Sequence, residues 1–395
     1  PEKDLRIIHI AGTNGKGSVS AFLRSVFECA GLKTGMFTSP HLVDFRERIQ
    51  VQGDMISKED TMRLGNRLLS MDFGVYPTMF DYCLAMALLY FKEQQCDVVI
   101  LETGLGGTYD STNACGVPDV TVIAKIGFDH MAILGDTLAK IAAEKAGIIK
   151  HGTALVLESQ EKEAMDVLNK AAERADIKTT KVVNLDEIRI LPQKDGKQCF
   201  SYAGYDAVTM KMLGVHQYEN AVAAMLAAEL FFEKYLAGKK NVPERKALQH
   251  AIREGIDRTQ WMGRMELVSN DPFFLMDGAH NSNGVEALKK SLETMYPDEK
   301  FHFIMGVMAD KDYGEMIREL LPLALDFKTV TVESERALQG EALADCIREK
   351  GIPAEAYQNL ADVLPDFSKS STEKTVAFGS LYFIGEIEAF LQGKQ

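Results

Sequence analysis

Short apolar, β-rich runs alternate with longer helical patterns along most of the chain, and few folds can satisfy that alternation. The runs at Arg6–Ile10, Lys33–Phe37, Asp97–Leu101 and Val120–Ala124 are largely apolar, as strands covered on both faces must be. Between and after them the spacing predicts helices over Lys16–Ala30, Lys58–Met71, Phe80–Gln94 and Asp136–Ile149. Strand, helix and strand in succession need a mainly parallel sheet with helices on both faces, so the expected class is α/β. From 181 to 212 short strands with DG and AG turns interrupt the pattern, and a small antiparallel piece is expected there.

A second alternation begins after Trp261-Met262-Gly263-Arg264. Strands near Phe273–Met276, Phe301–Gly306, Thr329–Val332 and Thr375–Phe378 are separated by helical patterns at Val285–Met295, Tyr313–Leu321 and Gly340–Lys350, with another at Leu381–Phe390. Pro322 should stop the second of these at Leu321. The 395 residues suffice for two cores, expected over 1–258 and 264–395 with a joint between Gly255 and Arg264. Two such domains predict a cleft that closes on substrates.

The first strand runs into Ile10-Ala11-Gly12-Thr13-Asn14-Gly15-Lys16-Gly17-Ser18 and then a helix. A glycine turn between strand and helix offers backbone N–H groups and a helix N-terminus to an anion; Lys16 adds a movable cation and Ser18 a hydroxyl suited to Mg²⁺. The spacing departs from G-x-x-x-x-G-K-[ST], since only Thr13 and Asn14 separate Gly12 from Gly15 and Gly17 precedes Ser18. The turn still reads as a phosphate loop. Glu102-Thr103-Gly104-Leu105-Gly106-Gly107 follows the apolar DVVIL, which puts a carboxylate at the ligand edge of such a sheet, where it could hold a hard cation. Phe128-Asp129-His130 lies at the same edge, and Lys145 sits among alanines and isoleucines, where a buried ammonium is costly unless paired, neutralised or modified. In the second domain Asp277-Gly278-Ala279-His280-Asn281, Gly306–Asp312 and Gly379–Tyr382 gather at one strand edge and predict a second half-site.

A net charge of −13 argues against a nucleic-acid partner. The six cysteines include no CxxC pair, which fits a reducing cytoplasm better than a disulfide framework or a zinc knuckle. The longest apolar stretch, near Cys83–Phe91, is too short for a membrane span, so no membrane partner is expected.

Taken in order, AGTNGKGS, TSPHL…RERI, TMFD, ETGLGG…DSTN, FDH, LGDTLAKIAAEKAGIIK, HQYENA, MGRME, DGAHN, MGVMADKDY and GSLYFIGE resemble the folylpolyglutamate synthase/dihydrofolate synthase family, within the wider Mur ligases. TSPHL and DSTN are similar to the folate branch rather than the cell-wall branch. The resemblance implies a P-loop-type ATPase domain followed by a smaller Rossmann-like domain. It also implies a monomeric ATP-dependent ligase joining L-glutamate to dihydropteroate or to the γ-carboxylate of folates. By the same resemblance, Gly12, Thr13, Asn14, Gly15, Lys16, Gly17 and Ser18 would cradle the ATP phosphates. Ser39, Glu102 and His130 would place one Mg²⁺, and Lys145, carbamylated, a second. Asn220, Arg264 and Asp277 would contact ATP. Thr78, Met79, Phe80 and Asp81, with Tyr109, Asp110 and Ser111, would form the folate pocket. His280 and Ser380 would receive the incoming glutamate.

Gly106-Gly107-Thr108 stands where many members of that family have GGR, and Met262-Gly263-Arg264 where many have PGR. Members also carry a longer segment ahead of the phosphate strand, with a loop that helps bind dihydropteroate. This sequence begins directly ahead of that strand, so the expectation is a segment outside it or an incomplete pocket. A Mur-type peptide ligase of cell-wall synthesis is the alternative reading. A switch GTPase would need an NKxD, which the chain lacks.

Overall fold

A computed structural model, describing residues 2–236 and 244–393, arranges these runs as two α/β units and a small sheet. The first unit comprises Pro1–Lys211 and Gln217–Gln260, and the second Met212–His216 and Trp261–Gln395. The second unit includes 212–216, which the sequence boundary placed in the first. Leu213 packs into the second core, and Val215 N–H donates to Ser291 Oγ at 3.0 Å.

In the first unit the chain runs β1 (Ile7–Ala11), α1 (Lys16–Cys29), β2 (Thr34–Phe37), β3 (Ile49–Val51), β4 (Asp54–Met55), α2 (Lys58–Leu69) and α3 (Met79–Glu93). It continues through β5 (Val98–Glu102), β6 (Val120–Ile123), α4 (Met131–Leu134), α5 (Leu138–Ala146), β7 (Ala154–Leu157), α6 (Lys162–Arg174) and β8 (Thr180–Val182). The sheet order is β4-β3-β2-β5-β1-β6-β7-β8, parallel except for β3 and β4 at one edge. Every residue of β1, β2, β5, β6 and β7 is buried, as strands covered on both faces require. Ile7 belongs to a core with α2 and α3, and Ala11 to one with α5 and α6. Phe27 of α1 packs on Phe231 and Phe232 of α7 (His216–Leu236), with ring centroids 4.9 and 5.6 Å apart.

The antiparallel piece is real but narrower than expected. It comprises β9 (Arg189–Lys194), β10 (Lys197–Tyr202) and β11 (Tyr205–Met210), in the order β11-β10-β9. Lys181 and Val182 instead close the main sheet in β8, which pairs parallel with β7. β8 is an exposed edge strand, so burial left no apolar run to mark its partner. Lys197 Nζ donates to Asp257 of α8 (Arg245–Arg258) at 2.7 Å and ties this sheet to the unit.

The second unit runs β12 (Glu266–Asn270), β13 (Phe273–Met276), α9 (Ser282–Met295), β14 (Phe301–Met305), α10 (Tyr313–Leu320), β15 (Ala324–Val330), α11 (Gly340–Arg348), β16 (Ala354–Tyr357), β17 (Lys374–Phe378) and α12 (Leu381–Leu391). Its order is β12-β13-β17-β14-β15-β16, with only β12 antiparallel. Among the described residues no helix is long and apolar enough to cross a membrane.

Candidate active site

The glycine turn joins β1 to α1 at the carboxyl edge of the first sheet. Gly15 precedes the helix at φ 85°, a left-handed backbone that suits glycine, and a Cβ there would run into Asn220 Oδ1. The N-cap is Gly15, which has no side chain to cap α1, so the first-turn N–H groups can be offered to an anion. Thr13 and Asn14 N–H both donate to the Lys125 carbonyl, at 2.8 and 3.1 Å, which fixes the turn against the end of β6. Lys16 Nζ folds back over the turn, donating to the carbonyls of Gly12 (3.0 Å) and Thr13 (3.3 Å), and lies 4.0 Å from Glu102 Oε1. A phosphate oxygen is a stronger partner for that ammonium than either carbonyl.

Glu102 ends β5 and is 4 % exposed. Ser39 N–H donates to its Oε2 at 3.4 Å, so two of the residues expected at a cation meet beside Lys16. His130 follows β6 with φ 49°; its ring is partly exposed and its Nε2 lies 3.9 Å from Asp129 Oδ1. Among the described residues no three His, Cys, Asp or Glu side chains form a metal cluster. A buried carboxylate beside Ser39 and the glycine turn is an oxygen-rich setting. It suits Mg²⁺, which takes few protein ligands and completes its shell with phosphate and water.

Lys145 reaches the same place from α5. Its side chain is buried and its Nζ donates to the Gly12 carbonyl at 2.8 Å. Burial, and then the Lys16 charge, push its ammonium down to about 7. The Gly106–Thr108 turn lies against α5: a Cβ at Gly107 would sit 2.7 Å from the Glu144 carbonyl. Thr108 N–H and Oγ1 both donate to that carbonyl, at 2.8 and 3.0 Å. The threonine that departs from GGR thus anchors the turn to the helix carrying Lys145.

The two stretches expected around a folate meet through Ser111 Oγ, which donates to Asp81 Oδ1 at 2.5 Å. Asp81 also boxes the start of α3 with Thr78, and Met79 and Tyr109 are exposed beside it. Phe80 fills the space at Gly104, where a Cβ would come within 2.8 Å of its ring. Asp110 is occupied by the loop itself. Its Oδ2 accepts from Gly104 and Leu105 N–H, both at 2.9 Å, and its Oδ1 from Thr112 N–H and Oγ1 at 3.0 and 2.5 Å. Thr112 Oγ1 in turn meets the buried His9 Nε2 at 2.7 Å.

Helix α7 brings two buried amides to the turn. Asn220 packs at Gly15, its Nδ2 donating to Gln217 Oε1 at 2.8 Å, and Gln217 Nε2 donates to Ser18 Oγ at 3.3 Å. Sequence reasoning points to Asn220 but not to Gln217 or Lys125. The three-residue spacing of Gln217 and Asn220, which places both on one helix face, was the available signal. Lys125 acts through its carbonyl, which no residue type advertises.

In the second unit Asp277 ends the run of β13, and both its oxygens accept backbone N–H groups, from Met265 and Ala279, at 2.8 Å each. Gly278 N–H donates to the Gly263 carbonyl at 2.8 Å, clasping the MGR and DGAHN turns together. A Cβ at Gly278 would collide with Leu381 and with the Arg264 guanidinium. His280 Nδ1 meets the Gly278 carbonyl at 2.8 Å. Ser380, buried at the start of α12, caps it by accepting from Tyr382 N–H at 3.1 Å, and Gly379 N–H donates to the Ala279 carbonyl at 3.0 Å. Arg264, Asp277, His280 and Ser380 therefore lie along the carboxyl ends of two adjacent strands.

Residues 10–228 match the Mur ligase middle domain, and residues 263–378 the glutamate ligase domain of Mur ligases. The dihydrofolate synthase/folylpolyglutamate synthase of Bacillus subtilis is 37 % identical over 99 % of this chain and 92 % of its own length. The folylpolyglutamate synthase of Lacticaseibacillus casei is 29 % identical over all of this chain and 91 % of its own. Among solved structures, Mycobacterium tuberculosis folylpolyglutamate synthase, complexed with ADP and AMPPCP, superposes with a TM-score of 0.86 at 29 % identity, covering 100 % of this chain and 92 % of its own. E. coli FolC in complex with DHPP and ADP gives 0.84 at 26 % identity, covering 98 and 89 %.

Proposed function

The chain belongs to the folylpolyglutamate synthase/dihydrofolate synthase family of Mur ligases, and from that premise we propose that its glycine turn holds ATP for transfer to a folate-type carboxylate. It is a ligase that joins L-glutamate to folate-type acceptors at the expense of ATP. The observation that carries the reading of the turn is Lys16, folded over Gly12 and Thr13 and 4.0 Å from the buried Glu102 at the sheet's carboxyl edge.

The carboxylate of dihydropteroate, or of a folate's γ-glutamyl end, attacks the γ-phosphorus; ADP leaves and an acyl phosphate forms. The glutamate amine then adds to that carbonyl, the tetrahedral intermediate expels phosphate, and the amine proton is lost. Two anions must be held together, so Lys16 and the first turn of α1 orient the triphosphate and offset its charge. Ser39, Glu102 and His130 would hold Mg²⁺, which when bound neutralises charge on the phosphates. Asn220, Arg264 and Asp277 are assigned to the nucleotide, Thr78–Asp81 with Tyr109–Ser111 to the folate, and His280 and Ser380 to glutamate.

Lys145 is assigned as the carbamylated lysine. An amine held near neutrality can attack carbon dioxide, forming an N–C bond and releasing a proton, and the resulting anion offers oxygens to a second Mg²⁺. A monomeric, cytoplasmic enzyme remains part of the proposal, testable by sedimentation.

The deciding experiment is ADP release with dihydropteroate and with tetrahydrofolate, each with and without L-glutamate, and with a UDP-muramoyl acceptor as the rival substrate. Glutamate-dependent release with a pterin acceptor is expected, and release only with the muramoyl acceptor would overturn the reading. Lys16→Ala should lower turnover at least about a hundredfold in every condition. Its retention would refute the assignment of the turn.

A further inference from the structure

A group of charged residues outside the assigned site meets the back of the glycine turn. The Lys125 carbonyl accepts both Thr13 and Asn14 N–H, and its Nζ donates to the Ser159 carbonyl at 2.7 Å. Ser159 N–H donates to Glu219 Oε1 of α7 at 2.6 Å. One and two residues from Glu219, Asn220 and Gln217 touch the turn again, at Gly15 and Ser18. Gln160 adds a parallel tie, accepting from Ile126 N–H at 2.9 Å and donating to the Ala124 carbonyl at 3.1 Å. Thr13 Oγ1 exchanges hydrogen bonds with both the N–H and the carbonyl of Gly127 at 3.0 Å. The contacts close a ring: turn, end of β6, end of β7, α7, turn.

Glu158 sits within this ring, 1 % exposed, and its Oε1 makes no hydrogen bond among the described residues. Burial first, then the charge of Glu219, push its carboxyl well above the usual range; Lys125 acts the other way through its backbone N–H and its ammonium. Burial likewise raises Glu219, against Lys125 and the Ser159 N–H. The Lys125 ammonium acts on both carboxyls electrostatically, and two buried carboxyls sharing one ammonium are balanced only when one of them keeps its proton. The unbonded oxygen points to Glu158 as the neutral partner.

We propose that Lys125 and Glu219, with the buried Glu158 beside them, are positioning residues that hold the glycine turn in its nucleotide-binding shape. They act through backbone groups and set nucleotide affinity rather than the chemical step. The inference rests on the reading of Gly12–Ser18 as a nucleotide turn and adds to it residues that touch no ligand.

The test is Mg·ADP affinity by calorimetry, with KM for ATP and kcat, on Lys125→Met, Lys125→Arg, Glu219→Gln and Glu158→Gln. Lys125→Met should weaken ADP binding and raise KM for ATP by about tenfold, with kcat within about threefold. Lys125→Arg should restore most of the affinity. Glu219→Gln, which keeps the side chain's shape should Lys125→Met fail to fold, is expected to weaken binding roughly threefold to fivefold. Glu158→Gln, an isostere of the protonated acid, should bind within about twofold of wild type at pH 7. It should also lose the part of the wild-type decline with rising pH that comes from Glu158 ionising beside Glu219. Wild-type affinity in Glu219→Gln, a Glu158→Gln loss as large as that of Lys125→Met, or a fall in kcat with KM unchanged would each overturn the inference. A wild type that binds ADP but turns over no pterin acceptor would sink the proposed reaction and leave this inference standing. A wild type that binds no ADP would sink both.

Discussion

Lys145→Met should make the protein more stable at neutral pH while abolishing its activity. In the folded chain the Lys145 ammonium falls from 10.5 to about 7. At ~1.4 kcal/mol for each pKa unit, holding that side chain in its buried place costs ~4 kcal/mol at pH 7. The sign follows from proton counting. Between the folded value near 7 and the unfolded value near 10.5, the unfolded chain binds the extra proton, so wild-type stability gains about 1 kcal/mol per pH unit as pH rises. Methionine fills a similar volume without a charge, but loses the bond to the Gly12 carbonyl, worth roughly 1 kcal/mol. The net expectation is a variant more stable by ~3 kcal/mol at pH 7 and by ~1 kcal/mol at pH 9. At pH 7 its melting midpoint should rise by roughly 6–12 °C for a unit of this size. The assay is thermal unfolding of both proteins from pH 7 to 10 in carbon-dioxide-free buffer, so that the free amine is compared. Turnover should fall at least about a hundredfold, the usual scale for removing a charge-stabilising group. A variant less stable than wild type at pH 7, or a difference that does not shrink with pH, would refute the buried-amine argument.

Two further substitutions probe the turns. Asp110→Asn can present its single oxygen either to Gly104 and Leu105 or to Thr112, leaving its NH₂ against donors on the other side; it should cost roughly 2–4 kcal/mol, read as a melting midpoint lower by about 5–10 °C. An unchanged midpoint would show that Asp110 does not hold the ETGLGG turn. Gly15→Ala forces a side chain into a left-handed backbone and against Asn220, and should raise KM for ATP about tenfold in steady-state kinetics. An unaltered KM would mean that the turn tolerates a different shape.

Much of the first unit was readable because parallel strands buried on both faces leave nearly unbroken apolar runs. β1, β2, β5 and β6 lie within a residue of their expected limits, and capping residues fixed the helices that follow. Thr78 and Asp81 begin α3 one residue early, and Thr137 delays α5 to Leu138 by accepting from Lys140 N–H. Two of the elements read imperfectly share a physical cause, whereas the buried β7 is a short apolar run that goes unassigned. β15 starts at Ala324 rather than Thr329 because its first half is partly exposed and reads as polar. β8 is an exposed three-residue edge with no period to detect. In the site, the strand-end acids and the glycine turn announced themselves by residue type and place. The ties through the carbonyls of Lys125, Gly12 and Glu144 could not, because every residue carries a carbonyl and only the fold selects which one is used.

Those ties also resolve how a chain with a net charge of −13 can be built to hold anionic substrates. Asp110 and Asp277 lie at the strand edges of their units, and each gives both oxygens to hydrogen-bond donors of its own loops. A carboxylate bound in this way is already compensated, and presents little field to a ligand a few ångströms beyond. Lys16, by contrast, has among the described residues only neutral carbonyls within hydrogen-bond reach and Glu102 at 4.0 Å, a distance at which a triphosphate can compete. What the turn can hold therefore depends on which charges the fold neutralises internally, and the sign of the whole molecule is a poor guide to what it binds.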